Sequence, residues 1–275
     1  MPYLLILPGL TWLAVFFLIP IFTLGQVSLQ EGTFAEGFRF TWHWQNYPDL
    51  VSRFGRLFVR SFGYAGIATL LAFLIGYPLA YAIAFRAGRY KNLFLFLVIL
   101  PFFTSYLIRT LAWKIILADE GFVVAALQAL RVLSEDGRLL ATRTSVIGGI
   151  IYNFLPFMIL PIYVSLEKID KRLVEAAEDL YANSPRAFWK VVFPLSLPGV
   201  FAGSLLTFIP AAGDFVNAQL LGGPQQQMIG NVIQSRFLRV LDYPGAAAMS
   251  FVLMASILVA VALYARLFGT EELMS

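Results

Sequence analysis

Six stretches of this chain carry no charged residue over lengths that approach or exceed the thickness of a bilayer: Met1–Gln30, Ser61–Phe85, Asn92–Ile108, Thr144–Leu166, Val191–Gly213 and Tyr243–Ala265. A helix needs about 20 residues to cross the hydrocarbon core. The third run falls short on its own, so its span is expected to continue past Arg109 to about Leu117. None of the runs alternates apolar and polar residues, which argues against a membrane barrel. Composition agrees. Of 275 residues, 59% are hydrophobic and 13% charged, where a soluble domain carries about a quarter charged. The expected fold is an all-α polytopic membrane protein, one domain over residues 1–275 with six spans near 3–29, 59–85, 92–117, 144–166, 195–221 and 244–267. The first run lacks basic residues ahead of it and is long for a signal core, so it is expected to remain as a span.

The net charge of +4 fits basic loop residues that anchor helices to anionic lipid, and no nucleic-acid partner is expected. Lysine and arginine favour the cytoplasmic side, but here they divide evenly between the faces. Outside the third span, Lys91, Lys168, Lys171 and Lys190 all share the side of the loop between spans 4 and 5. That side is therefore read as cytoplasmic, with both termini on it. On the other face, Trp42, Trp44 and Tyr47 suit the water–lipid boundary. His43, the single histidine, has no partner imidazole or thiol and is read as a surface residue; no metal site is expected. A helical pattern over Asp119–Leu133, ended by Gly137, is expected to lie in the interface. A second short helix is expected over Ile229–Leu241, after Gly222-Gly223-Pro224 has ended the preceding one.

The sequence holds no phosphate-binding Gly-x-x-x-x-Gly-Lys-Ser/Thr loop, no Gly-x-Ser-x-Gly and no His-Glu-x-x-His. No catalytic residue and no cofactor are assigned to this chain.

Residues 167–194 form a charged loop between two apolar spans. From Asp170, placed as an N-cap, good helix formers run to Ala182, and Leu173, Ala176, Ala177 and Leu180 recur at helical spacing. Glu175, Glu178 and Asp179 flank that face. Asn183, Ser184 and Pro185 then read as a turn, with Asn183 left-handed, Ser184 capping the next helix and Pro185 in its first turn. The second helix carries Phe188 and Trp189 and is expected to break at Pro194 and Pro198. The result is a short helix–turn–helix with small alanines that let a partner approach closely.

This loop resembles the coupling loop of ATP-binding-cassette importer permeases, in which Glu-Ala-Ala is followed at fixed spacing by Gly, Ile and Leu-Pro. Glu175, Ala176, Ala177 and Pro194 match, Val191 and Phe193 stand for Ile and Leu, and Tyr181 replaces the glycine. Further stretches are similar to the spermidine/putrescine-type permeases: Leu100–Trp113, Leu155–Phe157, Ser165–Asp170, Gly213–Val216, Leu221–Gly223, Ile229–Gln234 and Asp242–Ala247. The resemblance implies a permease subunit in the plasma (inner) membrane, without enzymatic activity of its own. Its partners would be a second six-span permease, a cytoplasmic ATPase dimer that uses ATP and Mg, and an extracytoplasmic substrate-binding protein. The coupling residues would be Glu175, Ala176, Ala177, Asp179, Tyr181, Asn183, Pro185 and Pro194. Polyamines are the implied cargo; the same machinery moving another organic cation, a sugar or a phosphorylated polyol is the alternative. An ion-coupled carrier is disfavoured by the absence of buried acidic pairs and by the elaborate loop.

Arg109, Lys114 and Asp214 are ionisable residues near membrane depth and should face the protein interior or a water-filled path. Asp214 reads either as an acidic group on a translocation path or as the partner of Arg109 in an interior latch. Tyr152, Asn153, Phe157, Phe208 and Asn217 are candidates to line a path that accepts an amine by hydrogen bonds and cation–π contact.

Overall fold

The computed structural model describes residues 3–134, 136–179 and 183–268, without the side chains of Tyr3, Leu4, Leu5, Lys171, Glu178 and Phe268. Among the described residues, five helices are long and apolar enough to cross a membrane: α1 (Ile6–Ser28), α2 (Asn46–Arg86), α6 (Arg143–Glu167), α8 (Ser184–Ala212) and α11 (Tyr243–Leu267). A sixth crossing would require the bent pair α3 (Gly88–Phe103) and α4 (Tyr106–Ile116), which meet at 93°, to act as one span. Between these lie a hairpin of β1 (Gln30–Thr33) and β2 (Gly37–Phe40), and the short helices α5 (Phe122–Ala129), α7 (Lys171–Asp179), α9 (Val216–Leu220) and α10 (Ile229–Ser235).

Several expectations are corrected here. The third span is not straight. Pro101 sits in a 3₁₀ turn, Leu100–Phe103, and Thr104 is extended at φ −107°. The Thr104 hydroxyl and amide both donate to the Pro101 carbonyl, at 2.8 and 3.2 Å, so the chain turns where helical bonding would have continued. The fifth span ends at Ala212 rather than near residue 221. It also does not break at Pro194. A π-turn, Phe188–Val192, leads into the helix, and such a wider turn leaves room for a proline that lacks an amide hydrogen. The second span begins at Asn46, well before the charge-free run. Helix α5 ends at Ala129 with Leu130 as its C-cap, just before Arg131 adopts φ 55°, not at Gly137. The hairpin β1–β2 was unforeseen in an all-α reading; Gln30 pairs with Phe40 and Thr33 with Gly37.

The backbone divides into two compact units. One gathers the described residues of 1–59 and 229–258, where Leu50, Ile229, Ala248 and Met249 form a small core flanked by Tyr47, Phe54 and Leu253. There Ser28 and Tyr47 share a hydroxyl hydrogen bond of 2.7 Å. The other unit gathers the described residues of 60–228 and 259–275. Its core joins Ala72, Tyr77 and Ala80 of α2, Met158, Ile159, Ile162 and Leu166 of α6, and Val192 at the start of α8. Helices α6 and α8 approach closely because Gly199 has no side chain: a Cβ there would lie 2.6 Å from the Ser165 hydroxyl. Most large apolar residues outside these cores face outward, and no part of the apolar window of α1 is buried within the chain. Such surface is stable only against lipid or another apolar protein face.

Candidate functional site

Both candidate loci belong to the second unit. The first is the loop after α6. Helix α7 starts at Lys171, with the Asp170 carboxylate accepting from the Arg172 amide at 3.0 Å, the cap its sequence demands. Val174 turns inward and packs on the Tyr77–Ile162–Val192 core. The expected apolar face is therefore mis-phased: Leu173 is 49% exposed, Glu175, Ala176 and Asp179 are also exposed, and Ala177 is half-buried. Tyr181 lies outside the described residues, as do Leu180 and Ala182.

Asn183 is not left-handed. It is extended at φ −70°, ψ 159°, and its side chain accepts from the Arg186 amide at 3.1 Å. Asn183 is thus the N-cap of α8, Ser184 is its first residue, and Pro185 follows within the first turn, where a missing amide hydrogen costs nothing. Phe188 stacks edge-on against Tyr77 and Tyr81, with centroids 5.8 and 5.7 Å away. The Tyr77 hydroxyl meets Ser196 at 2.8 Å. These contacts fix the root of α8 to α2. They leave Trp189 (63% exposed) projecting, with exposed Arg186 and Lys190 beside it. Opposite the loop's first residues, Lys91 pairs with Glu167 and lies 5.5 Å from the Tyr163 ring.

The second locus is a polar cluster where α4, α6 and α9 meet. Asp214 follows the end of α8, and its Oδ1 accepts from the amides of Val216 and Asn217 at 2.8 and 3.2 Å. Those bonds start α9. Its Oδ2 accepts from the Tyr106 hydroxyl at 2.9 Å and the Asn217 side-chain amide at 2.5 Å. The same Asn217 amide reaches the Tyr106 oxygen at 2.7 Å, while Asn153 donates to Asn217 Oδ1 and to the Thr110 hydroxyl, both at 3.2 Å. Asp214, Asn153, Asn217 and Thr110 are all buried. Gly149 makes the meeting possible, since a Cβ there would strike Leu221 and the Asn217 side chain.

No ion pair joins Arg109 to Asp214, so the interior latch is absent. Arg109 is 8% exposed, and its Nε and Nη1 have no hydrogen-bond partner. Its guanidinium lies over the rings of Phe102 and Tyr106, 5.1 and 5.9 Å from the centroids. Tyr106 therefore stands between cation and carboxylate, its ring toward one and its hydroxyl on the other.

Asp214, Asn153 and Asn217 come together as a group, with Arg109 beside them. The other candidates disperse. Tyr152 packs on Trp113 at 5.3 Å, Phe157 packs on Phe102 at 5.1 Å, and Phe208 packs on Phe62 at 5.8 Å. Phe208 lines a separate apolar groove of about 710 Å³ that also includes Phe73, Phe201 and Tyr264. Tyr106 and Thr110 were missed. With Arg109 they recur at helical i, i+3 and i+4 spacing, and that was the available signal.

A helical membrane chain with a capped, exposed loop helix rooted in its core and a buried polar cluster beside its bent α3–α4 pair has the build of a transport permease subunit. Residues 72–268 match the family of binding-protein-dependent transport system inner membrane components, and the chain belongs to that family. It is 41% identical to the spermidine/putrescine transport system permease protein PotB of Haemophilus influenzae, over 87% of this chain and 84% of that one. Identity to PotB of Escherichia coli is 37%, covering 88% of each chain. Among solved structures, a bacterial transporter importing the acidic polysaccharide alginate aligns with a TM-score of 0.79 at 19% identity, over 98% of this chain and 95% of that one. The chain is a permease subunit of an ATP-binding-cassette importer and a multi-pass inner-membrane protein.

Proposed function

We propose that this subunit moves polyamines, spermidine and putrescine, through the inner membrane by alternating access. The observation that carries the cargo is the identity of 37–41% over 87–88% of the chain to permeases named for those two substrates. The buried carboxylate of Asp214 among amide and hydroxyl groups is chemistry suited to an ammonium. In this reading the bent α3–α4 pair completes six spans, both termini and residues 167–194 face the cytoplasm, and a second six-span permease encloses the other half of the pathway. A separate ATPase dimer, using ATP and Mg, docks on Glu175, Ala176, Ala177, Asp179, Asn183 and Pro185. Closure of that dimer presses on α7 and on the root of α8, whose π-turn leads directly into the span. An extracytoplasmic binding protein delivers substrate from the opposite face; a solved alginate importer has been seen in complex with its ligand-bound periplasmic protein.

The test is to co-express this chain with the products of its neighbouring genes, purify the complex, and titrate the binding protein with spermidine, putrescine, a sugar and a polyol phosphate. Saturable binding of the amines alone, together with an ATPase and a second permease in stoichiometric amounts, is the expected result. Preference for the sugar or the polyol phosphate would overturn the cargo, and a chain that purifies as a functional single carrier would overturn the class.

A further inference from the structure

The cation buried beside the polar cluster has no acceptor, and that calls for a reason. A structural arginine in a poorly solvated site normally uses its planar donor set on carboxylates or carbonyls, and leaving such donors bare is costly. Arg109 is more than nine-tenths buried, yet its Nε and Nη1 are unpartnered. What holds it is aromatic: Phe102 below at 5.1 Å and Tyr106 at 5.9 Å. Just beyond Tyr106 lie Asp214 and Asn217, and the buried Asn153 Oδ1 is a second unused polar atom, an acceptor. Aromatic faces next to a carboxylate and a free amide oxygen are the ingredients of an organic-ammonium site. Here the protein's own cation is seated on the faces.

We propose that Arg109 is an internal stand-in for substrate: it occupies the aromatic seat into which a primary ammonium of the transported amine passes, and it leaves that seat when the amine arrives. The inference rests on the polyamine reading above and adds a location and an order of events to it. Weak tethering is what such a role requires, because an arginine locked bidentate onto Asp214 could not be displaced by an ammonium of the same charge. The break at Thr104–Ser105, immediately before α4, leaves Arg109 in the first turn of a helix that begins at Tyr106 and is not continuous with α3. While seated, Arg109 repels cations, so the pathway is closed to polyamines that have not been delivered by the transport cycle.

The test uses the assembled complex of this chain, its second permease and the ATPase dimer in lipid nanodiscs, without binding protein, and measures retention of radiolabelled spermidine. Wild type is expected to retain little. Arg109→Gln removes the occupant and leaves Asp214 uncompensated, so retention should rise about tenfold, as when a competing closed state is removed. Arg109→Lys keeps the charge but loses the planar stacking group; it should give a smaller rise of about threefold, and it carries the test if the Gln variant fails to assemble. Adding Asp214→Asn to Arg109→Gln should return retention to the wild-type level. No rise in either single variant, or a rise that survives Asp214→Asn, overturns the stand-in. ATP-driven spermidine uptake by wild type, with binding protein restored, separates the two levels. Uptake without any gain in the variants sinks this inference alone, whereas no uptake sinks the polyamine reading and the inference with it.

Discussion

Asp214 accepts hydrogen bonds from two backbone amides, from Tyr106 and from Asn217, and this one carboxylate thereby fixes the start of α9, the first turn of α4 and, through Asn217, the middle of α6. Asn217→Leu removes the side-chain amide that serves Asp214 and Tyr106 and the oxygen that serves Asn153, leaving buried polar groups bare at about 1–3 kcal/mol each. The purified complex is expected to unfold several degrees lower by thermal shift, with uptake lost in parallel; an unchanged midpoint would remove the cluster's structural importance. Gly149→Ala should cost about 1–3 kcal/mol through overpacking against Leu221 and Asn217, read as lower yield of assembled complex. Asp214, Asn153, Asn217 and Arg109 were legible in the sequence because polar groups stand out in apolar runs. Tyr106 and Thr110 were not, because tyrosine and threonine are ordinary in membrane helices and only their placement opposite α9 gives them a role. The latch was misjudged for a related reason: two opposite charges at similar depth say nothing of a ring standing between them.

Helix α7 and the start of α8 form the element to which the proposed coupling is assigned. Its existence was readable from Glu175-Ala176-Ala177 and from the cap at Asp170, but its phase was not, nor was Asn183 rather than Ser184 as the cap of α8. Val174 faces inward because the core of Tyr77, Ile162 and Val192 lies on that side, information held by α2 and α6 rather than by the loop. Likewise, Pro194 looks like a break until the π-turn at Phe188–Val192 leads into it, and Pro198 lies inside the continuous helix that follows. Replacing Ala176, which is exposed, by Trp is expected to lower substrate-stimulated ATP hydrolysis at least tenfold while leaving complex yield and melting temperature unchanged. Normal hydrolysis in that variant would remove the docking role. Asn183→Ala should cost about 1 kcal/mol of helix-start stability and reduce coupling more mildly, with Asn183→Asp restoring it, since aspartate caps equally well.

At the scale of the molecule, the expected first, fourth and sixth spans coincide closely with long apolar helices, and the deviations arise where other structure joins them. The second span extends back to Asn46 because the segment after the hairpin is helical although charged. The third bends because Pro101 and Thr104 divert its bonding. The sequence holds no cysteine, so single cysteines report topology cleanly. Cysteines at the exposed positions Arg186 and Glu120 are expected to label from opposite sides of intact cells, with Glu120 reached by an impermeant reagent and Arg186 only after permeabilisation. Labelling of Arg186 from outside would invert the orientation on which the proposed coupling depends.

The central claim, that this chain forms half of an ATP-driven polyamine pathway, is tested most directly by reconstituting the full complex in proteoliposomes and following radiolabelled spermidine. The account predicts accumulation that requires ATP and the binding protein, persists without any ion gradient, and is lost in Ala176→Trp. Uptake driven by an ion gradient without ATP, or ATP-driven uptake of a sugar but no amine, would contradict it.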